Sequence, residues 1–192
     1  MMNAEILIHL NTLWKQIYPH LARWIETWIP QDSGQALEIG PFSGGIIQSL
    51  LARRPALQGL IALREAETAE TIRKSFGPPC PILLSPPESL PLLPTFDLVI
   101  CRGAFFFLTP GIIKESHRIL KPGGHALLGG GYGPDTPEDI ISPIADESRD
   151  LNYRLGKTRL SRGDLEKMVS EAGFENESTI IEEGGLWLLI PS

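Results

Sequence analysis

The sequence predicts an α/β fold in three layers: a seven-stranded, mainly parallel sheet with one antiparallel strand, covered by helices on both faces and preceded by a helical N-terminal segment. Three observations predict it. Short apolar runs alternate with stretches of helical period from Gln35 to Leu128, the pattern of parallel strands joined by crossover helices. The stretch Ala36-Leu37-Glu38-Ile39-Gly40-Pro41-Phe42-Ser43-Gly44-Gly45 leaves an apolar strand, breaks into a glycine-rich turn and opens a helix. That order presents backbone N–H groups to a nucleotide-like ligand at a helix N-terminus. Finally, Glu177–Ile181 and Leu186–Ile190 flank the turn Glu182-Glu183-Gly184-Gly185, a closing hairpin that supplies the antiparallel strand.

Taken in order, Ala4–Ile29 reads as helix in two pieces, with Trp14, Tyr18, Leu21, Ile25 and Trp28 drawing one apolar stripe at spacings of three and four. Pro19 should break the helix after Tyr18, and Pro30 should end it. Strand Gln35–Ile39 leads through the glycine turn into a helix from Gly44 to about Arg54, stopped by Pro55. Leu57–Leu63 is a largely apolar run of strand length, suited to a parallel strand buried on both faces. A helix over Glu65–Phe76 has Glu70 and Lys74 one turn apart and ends at Gly77-Pro78-Pro79. Pro81–Leu84 is a short strand, and the proline-rich Ser85–Thr95 a loop. Phe96–Cys101 is the fourth strand. Thr109-Pro110 caps a helix carrying Ile112, Ile113, Ile119 and Leu120, which Lys121-Pro122-Gly123-Gly124 closes. His125–Leu128 is the fifth strand and runs into Gly129-Gly130-Gly131-Tyr132-Gly133. Thr136-Pro137-Glu138 opens a further helix to about Leu151, and Ser161 with Asp164 caps one reaching Ala172 and Gly173.

At 192 residues the chain suits one domain with a sizeable core. Its net charge of −6 argues against a nucleic-acid surface. Cys80 and Cys101 lack metal-ligand spacing, and the four histidines (His9, His20, His117, His125) are scattered, so no metal site is expected. No run of about 18 apolar residues and no signal peptide is evident, which makes reduced thiols in a cytoplasmic protein, away from membranes, the expectation.

Glu38, Gly40 and Gly44 match the acid-x-Gly-x-Gly-x-Gly motif of the class I S-adenosylmethionine-dependent methyltransferases, except that Phe42 stands where the middle glycine belongs. Phe96-Asp97-Leu98-Val99 resembles that family's fourth-strand motif, and Ile119-Leu120-Lys121-Pro122-Gly123-Gly124 the turn before its fifth strand. The resemblance runs from about Gln31 to Tyr132 and, more loosely, over Leu160 to the C-terminus. It implies a Rossmann-like sheet ordered 3-2-1-4-5-7-6 and divides the chain into a helical cover (1–30), a donor-site half (31–133), and acceptor-side helices with the hairpin (134–192). It also implies S-adenosylmethionine as cofactor, lying over Gly40, Phe42, Gly44 and Gly45, with Glu38 orienting the loop or reaching the donor's amino acid end through water. The family's ribose-binding acid after the second strand has no counterpart in Ile61–Arg64. Glu65 or Glu67 stands close enough to reach the ribose, and each more simply belongs to the first turn of its helix, where negative charge suits the dipole. Pro86 falls where the family has the Asp that meets the adenine, and a proline offers neither a side-chain acceptor nor an N–H.

Residues after the fourth strand border the expected acceptor space. Cys101 and Arg102 adjoin the donor; Arg102 is a candidate to bind an acidic substrate but reads more simply as a surface or rim charge, and Cys101 has no neighbour in sequence to activate its thiol. Phe105, Phe106 and Phe107 are candidates for an apolar acceptor wall or for core packing, and Tyr132 for a hydrogen bond to substrate. Methyl transfer is an in-line displacement that needs positioning more than a fixed triad, so no catalytic residue is assigned. Two readings follow. One is a methyltransferase acting on a small molecule. The other is a non-catalytic relative kept as a binding or scaffolding module, in which exposed aromatics between Trp14 and Trp28 would mark a surface for self-association or a protein partner. A nicotinamide enzyme fares worst, because it too wants a small second glycine and an acid after the second strand.

Overall fold

The computed structural model describes residues 3–29, 31–77 and 80–192. Strands β1 (Gly34–Ile39), β2 (Leu57–Leu63), β3 (Ile82–Leu84), β4 (Phe96–Arg102), β5 (Leu120–Gly130), β6 (Thr179–Ile181) and β7 (Leu186–Pro191) form one sheet in the order β3-β2-β1-β4-β5-β7-β6. β1 to β5 run parallel, and β7 lies antiparallel to both β5 and β6. The chain reverses direction across the sheet between β1 and β4, the crevice where open α/β sheets bind ligands.

Two apolar cores flank the sheet. On one face β1, β2 and β4 meet helices α3 (Gly45–Arg53) and α4 (Ala66–Phe76), burying Ile46, Ile47, Leu50 and Ile72. Over these lie the N-terminal helices α1 (Ala4–Leu13) and α2 (Tyr18–Ile25). On the other face α5 (Pro110–Arg118) and α8 (Arg162–Ala172) bury Ile112, Ile113, Leu165 and Val169 against Leu37, Val99 and Leu128. Helices α6 (Glu138–Ile141) and α7 (Ala145–Arg154) follow the glycine-rich end of β5.

Several local signals act as read from the sequence. Thr109 caps α5 by accepting the Ile112 N–H, with Pro110 at the first helical position. Ser161 and Asp164 form a reciprocal capping box on α8, and Gly173 ends it in the left-handed conformation.

Other elements differ. The N-terminal break falls over Trp14–Gln16, a 3₁₀ turn, and Pro19 sits in the first turn of α2 instead of breaking a helix behind Tyr18. At that position its missing N–H costs nothing. Glu70 pairs with Arg73, not Lys74. The segment Lys121-Pro122-Gly123-Gly124 does not close α5, which stops at Arg118. It bows out within β5: Phe96 opposes Leu120 and Leu98 opposes His125, while Lys121 reaches the buried Asp97 carboxylate as an ion pair. The helix expected from Thr136 divides into α6 and α7. Pro30, Pro78 and Pro79, read as helix stops, lie outside the described residues.

The aromatic stripe is a second core layer. Trp14, Tyr18 and Trp24 are all under 9% exposed. Trp24 meets Trp187 edge-on at 5.5 Å, and Trp14 stacks on Tyr132 at 4.9 Å. The stripe thus packs on the main domain through Trp14, Tyr18 and Trp24, which offer no exposed partner surface, while Trp28 is half-buried.

Candidate functional site

β1 ends in Glu38, Ile39 and Gly40, and the chain then turns through Pro41–Gly44 into α3. Glu38 is fully buried, and its Oε2 accepts the N–H groups of Gly44 at 2.8 Å and Ile47 at 3.1 Å. Orphan donors of the first helical turn are thereby satisfied by a carboxyl oxygen. Burial pushes the Glu38 carboxyl up to about 7 against the pull of those two N–H groups and of Arg102. Its Oε1 has no partner. Gly40 (φ 98°) and Gly44 (φ 113°) take positive φ, and a Cβ on Gly40 would collide with the ring of Phe107.

Arg102, at the carboxyl end of β4, is buried in an aromatic cage. Its guanidinium lies 4.6 Å from the centre of the Trp14 ring, 5.1 Å from Tyr18 and 5.4 Å from Phe42. Cation–π attraction of this kind is strongest where water is excluded. Nη2 donates to the Tyr18 hydroxyl at 3.0 Å and to the Phe42 carbonyl at 3.1 Å, and Nε has no partner. Tyr18 in turn donates to Asn11 Oδ1, and Asn11 donates to Ser75 Oγ on α4. Burial raises the Tyr18 phenol to about 12, with Arg102 opposing, so it is neutral throughout the ordinary pH range. Phe42 is 1% exposed; its ring lies 4.6 Å from that of Phe106 and presses on Gly103, where a Cβ would collide with it.

Beside this aromatic plug opens a cavity of about 210 Å³, lined by the ends of β1 and β2 (Gly40, Leu63, Glu65), by Pro87 and Glu88 after β3, and by Phe106 and Phe107. Arg64 and Glu88 form an ion pair of 2.6 Å among its lining residues. Across Phe42 and Phe106 a recess of about 30 Å³ is bounded by Arg102, Phe105, Gly130, Gly131 and Lys157.

Residues 37–128 match the family model described as a methyltransferase domain. The structure superposes on a Methanococcus maripaludis protein assigned as an S-adenosyl-L-methionine-dependent methyltransferase with a TM-score of 0.76 at 22% identity, over 97% of this chain and 90% of that one. A chain in the complex between the Haloferax volcanii Trm112 methyltransferase activator and its methyltransferase partner gives 0.67 at 15% identity, covering 100% of this chain and 98% of the other. A Thermotoga maritima S-adenosylmethionine-dependent methyltransferase gives 0.59 at 17% identity over 98% and 99% of the two chains. The chain has the class I methyltransferase fold, and its residues 37–128 are similar to the methyltransferase-domain family. Comparison with curated proteins finds no match.

On this fold the expected site residues divide into three groups. Gly40 and Glu65 meet at the larger cavity, and Phe106 lines both cavity and recess. Phe42, Arg102 and Phe105 line the recess. The remaining candidates turn away. Glu38 serves the α3 N-terminus, Gly44 lies under Phe76 and Gly45 under Tyr18, and Tyr132 stacks on Trp14. Pro86 is exposed, and its successors Pro87 and Glu88 line the cavity instead. Cys101 is fully buried in the opposite core, which pushes its thiol pKa up and leaves it inert. Arg102 is no rim charge, being 4% exposed. Its cage draws on Trp14 and Tyr18 from the N-terminal helices, a partnership no local pattern encodes. Leu63 falls in the Ile61–Arg64 stretch read as the second-strand donor position, whereas Pro87 and Lys157 enter the site unheralded.

The fit to the family's donor is uneven. The larger cavity offers a backbone approach at Gly40 and a solvent-facing carboxylate at Glu65, as a nucleoside requires. A complete ligand of drug size usually occupies roughly 300–1,000 Å³, and the space between this cavity and the recess is filled by Phe42 and Phe106.

Proposed function

We propose that this protein is an S-adenosylmethionine-dependent methyltransferase acting on a small-molecule acceptor. The observation that carries the reading is the cavity at the carboxyl ends of β1, β2 and β3, with Gly40 on its floor and Glu65 at its edge. In this reading the donor's adenosine enters that cavity, and Glu65 accepts from the ribose hydroxyls. The methionyl end points toward Arg102 and Glu38, whose unpartnered Nε and Oε1 are a cation and an acid suited to an amino acid head group. For that end to enter, the Phe106 ring must leave Phe42, a movement that Gly103 (φ 70°) is placed to permit. The net charge of −6 favours a small acceptor over a nucleic acid.

Calorimetric titration with S-adenosylmethionine, S-adenosylhomocysteine and adenosine tests the reading. The two complete ligands are expected to bind at micromolar strength and adenosine at least tenfold more weakly. Millimolar binding of both complete ligands would refute it.

The second reading, a non-catalytic binding module, draws on the Phe42–Phe106 contact, which fills the methionyl end. It predicts that adenosine binds as tightly as S-adenosylhomocysteine, since only the nucleoside end would be open.

A further inference from the structure

A second cavity of about 210 Å³ lies on the far side of the aromatic plug, lined by Arg149, Asn152, Tyr153, Lys157, Thr158 and Arg159. We propose that it binds a compact oxyanion, a carboxylate or phosphate, and that this anion is the head group of the methyl acceptor. The assignment of that anion to the acceptor rests on the methyltransferase reading above; the anion site itself does not.

The first argument is charge. In a chain with 17 basic and 23 acidic residues, the segment from Arg149 to Arg159 holds Arg149, Arg154, Lys157 and Arg159 against Asp150 alone. Three of those cations face one cavity. Arg149 shares Asp146 at 2.7 Å, an exposed pair of little strength. Lys157 and Arg159 have no ion-pair partner among the described residues.

The second argument is desolvation without compensation. Lys157 is half-buried, and its ammonium lies 5.6 Å from the centre of the Phe105 ring. Burial lowers its pKa, with no acid offsetting the shift. A partly desolvated cation that no protein carboxylate satisfies is completed by an anion from outside. Arg159, whose guanidinium fork can receive two oxygens, lines the same cavity beside it.

Position is the third argument. Lys157 and Asn152 line this cavity and also the recess at Arg102, Gly103 and Gly130. A molecule anchored by its anion at Lys157 therefore extends along the Phe105 ring toward the end of β4, where the donor's methyl group would arrive. A polyanion is the poorer occupant, since the cations face into a concavity instead of forming a stripe.

The test is a ¹H–¹⁵N NMR titration of the full chain at low ionic strength, using inorganic phosphate and, separately, benzoate. Saturable shifts are expected at Asn152, Lys157, Thr158 and Arg159. Tighter binding of phosphate would point to a phosphate ester as acceptor, and tighter binding of benzoate to an aromatic acid. Lys157→Met and Arg159→Gln should each weaken the tighter anion by about tenfold or more while leaving the remaining spectrum in place. S-adenosylhomocysteine, titrated into the same samples, should shift Gly40 and Glu65 whether or not the anion site holds. Its failure and that of the anion site are thus read from different resonances. Shifts that fail to saturate, or variants that bind as the parent does, would overturn the proposal.

Discussion

Replacing Phe42 with alanine removes the ring that separates the two halves of the cleft. That ring is 1% exposed, lies 4.6 Å from Phe106 and rests on Gly103 beneath the Arg102 guanidinium. It belongs to the same core as Tyr18 and Ile46. Deleting a buried phenyl group costs about 3–5 kcal/mol, against a total stability of roughly 5–15 kcal/mol for a domain. The variant should stay folded in water but unfold at a clearly lower urea concentration. Its donor binding should move the other way. Under the proposed function, wild type has to break the Phe42–Phe106 pair to admit the methionyl end, and such pairs are worth about 0.5–1.5 kcal/mol. Phe42→Ala should therefore bind S-adenosylhomocysteine about two- to tenfold more tightly. Adenosine affinity should not change, because Phe42 does not line the nucleoside cavity. Urea denaturation and calorimetry together decide. A stability loss below about 1 kcal/mol would show that the ring is not core. A tenfold loss of S-adenosylhomocysteine affinity would show that it is a wall of the donor site.

Three further outcomes follow from the same geometry. The folded-state pKa of Glu38, about 7, lies above its ordinary value of 4.5, so its contribution to stability is present below about 4.5 and is lost as pH rises through about 7, a change of about 3 kcal/mol. Urea midpoints of Glu38→Gln, measured from pH 4.5 to 8, should lack that decline, and a slope equal to wild type would contradict the assigned shift. Glu65→Gln should weaken S-adenosylhomocysteine by about 10–100-fold and leave the urea midpoint nearly unchanged, the residue being exposed; unaltered affinity would place the ribose partner elsewhere. Deleting residues 1–29 strips Leu7, Leu10, Ile17, Tyr18, Leu21 and Ile25 from the core, so soluble expression or a cooperative thermal transition should be lost; a soluble, cooperatively melting product would make the cover dispensable.

The fold was legible wherever a local rule and the tertiary structure agree. β2 spans Leu57–Leu63 as read; Gln58 interrupts the apolar run and stands exposed, while Ile61, Ala62 and Leu63 are buried in the parallel sheet. The α8 capping box is likewise a contact between residues three apart. Misreadings arose where a local signal had two meanings. Lys121-Pro122-Gly123-Gly124 resembles a helix stop, yet pairing of Leu120 with Phe96 starts β5 before it, and only the partner strand decides that. Pro19 is compatible with both the end of one helix and the start of another. The site was less legible than the fold. The glycine turn marked the right edge of the sheet, but what stands over each glycine comes from far away in the chain: Phe107 over Gly40, Phe76 over Gly44 and Tyr18 over Gly45. Arg102 reads as a rim charge because nothing near it in sequence announces Trp14 or Tyr18.

The plug formed by Phe42 and Phe106 also bears on traffic. It divides the cleft into two compartments with separate mouths, one beside β2 and β3 at Leu63, Glu65 and Glu88, the other beside the loop that follows α7 at Lys157 and Arg159. A ligand in one compartment does not stand in the doorway of the other. For a two-substrate reaction run in such a cleft, neither substrate need precede the other and neither product need wait, so the kinetic order is set by affinities and not by a queue.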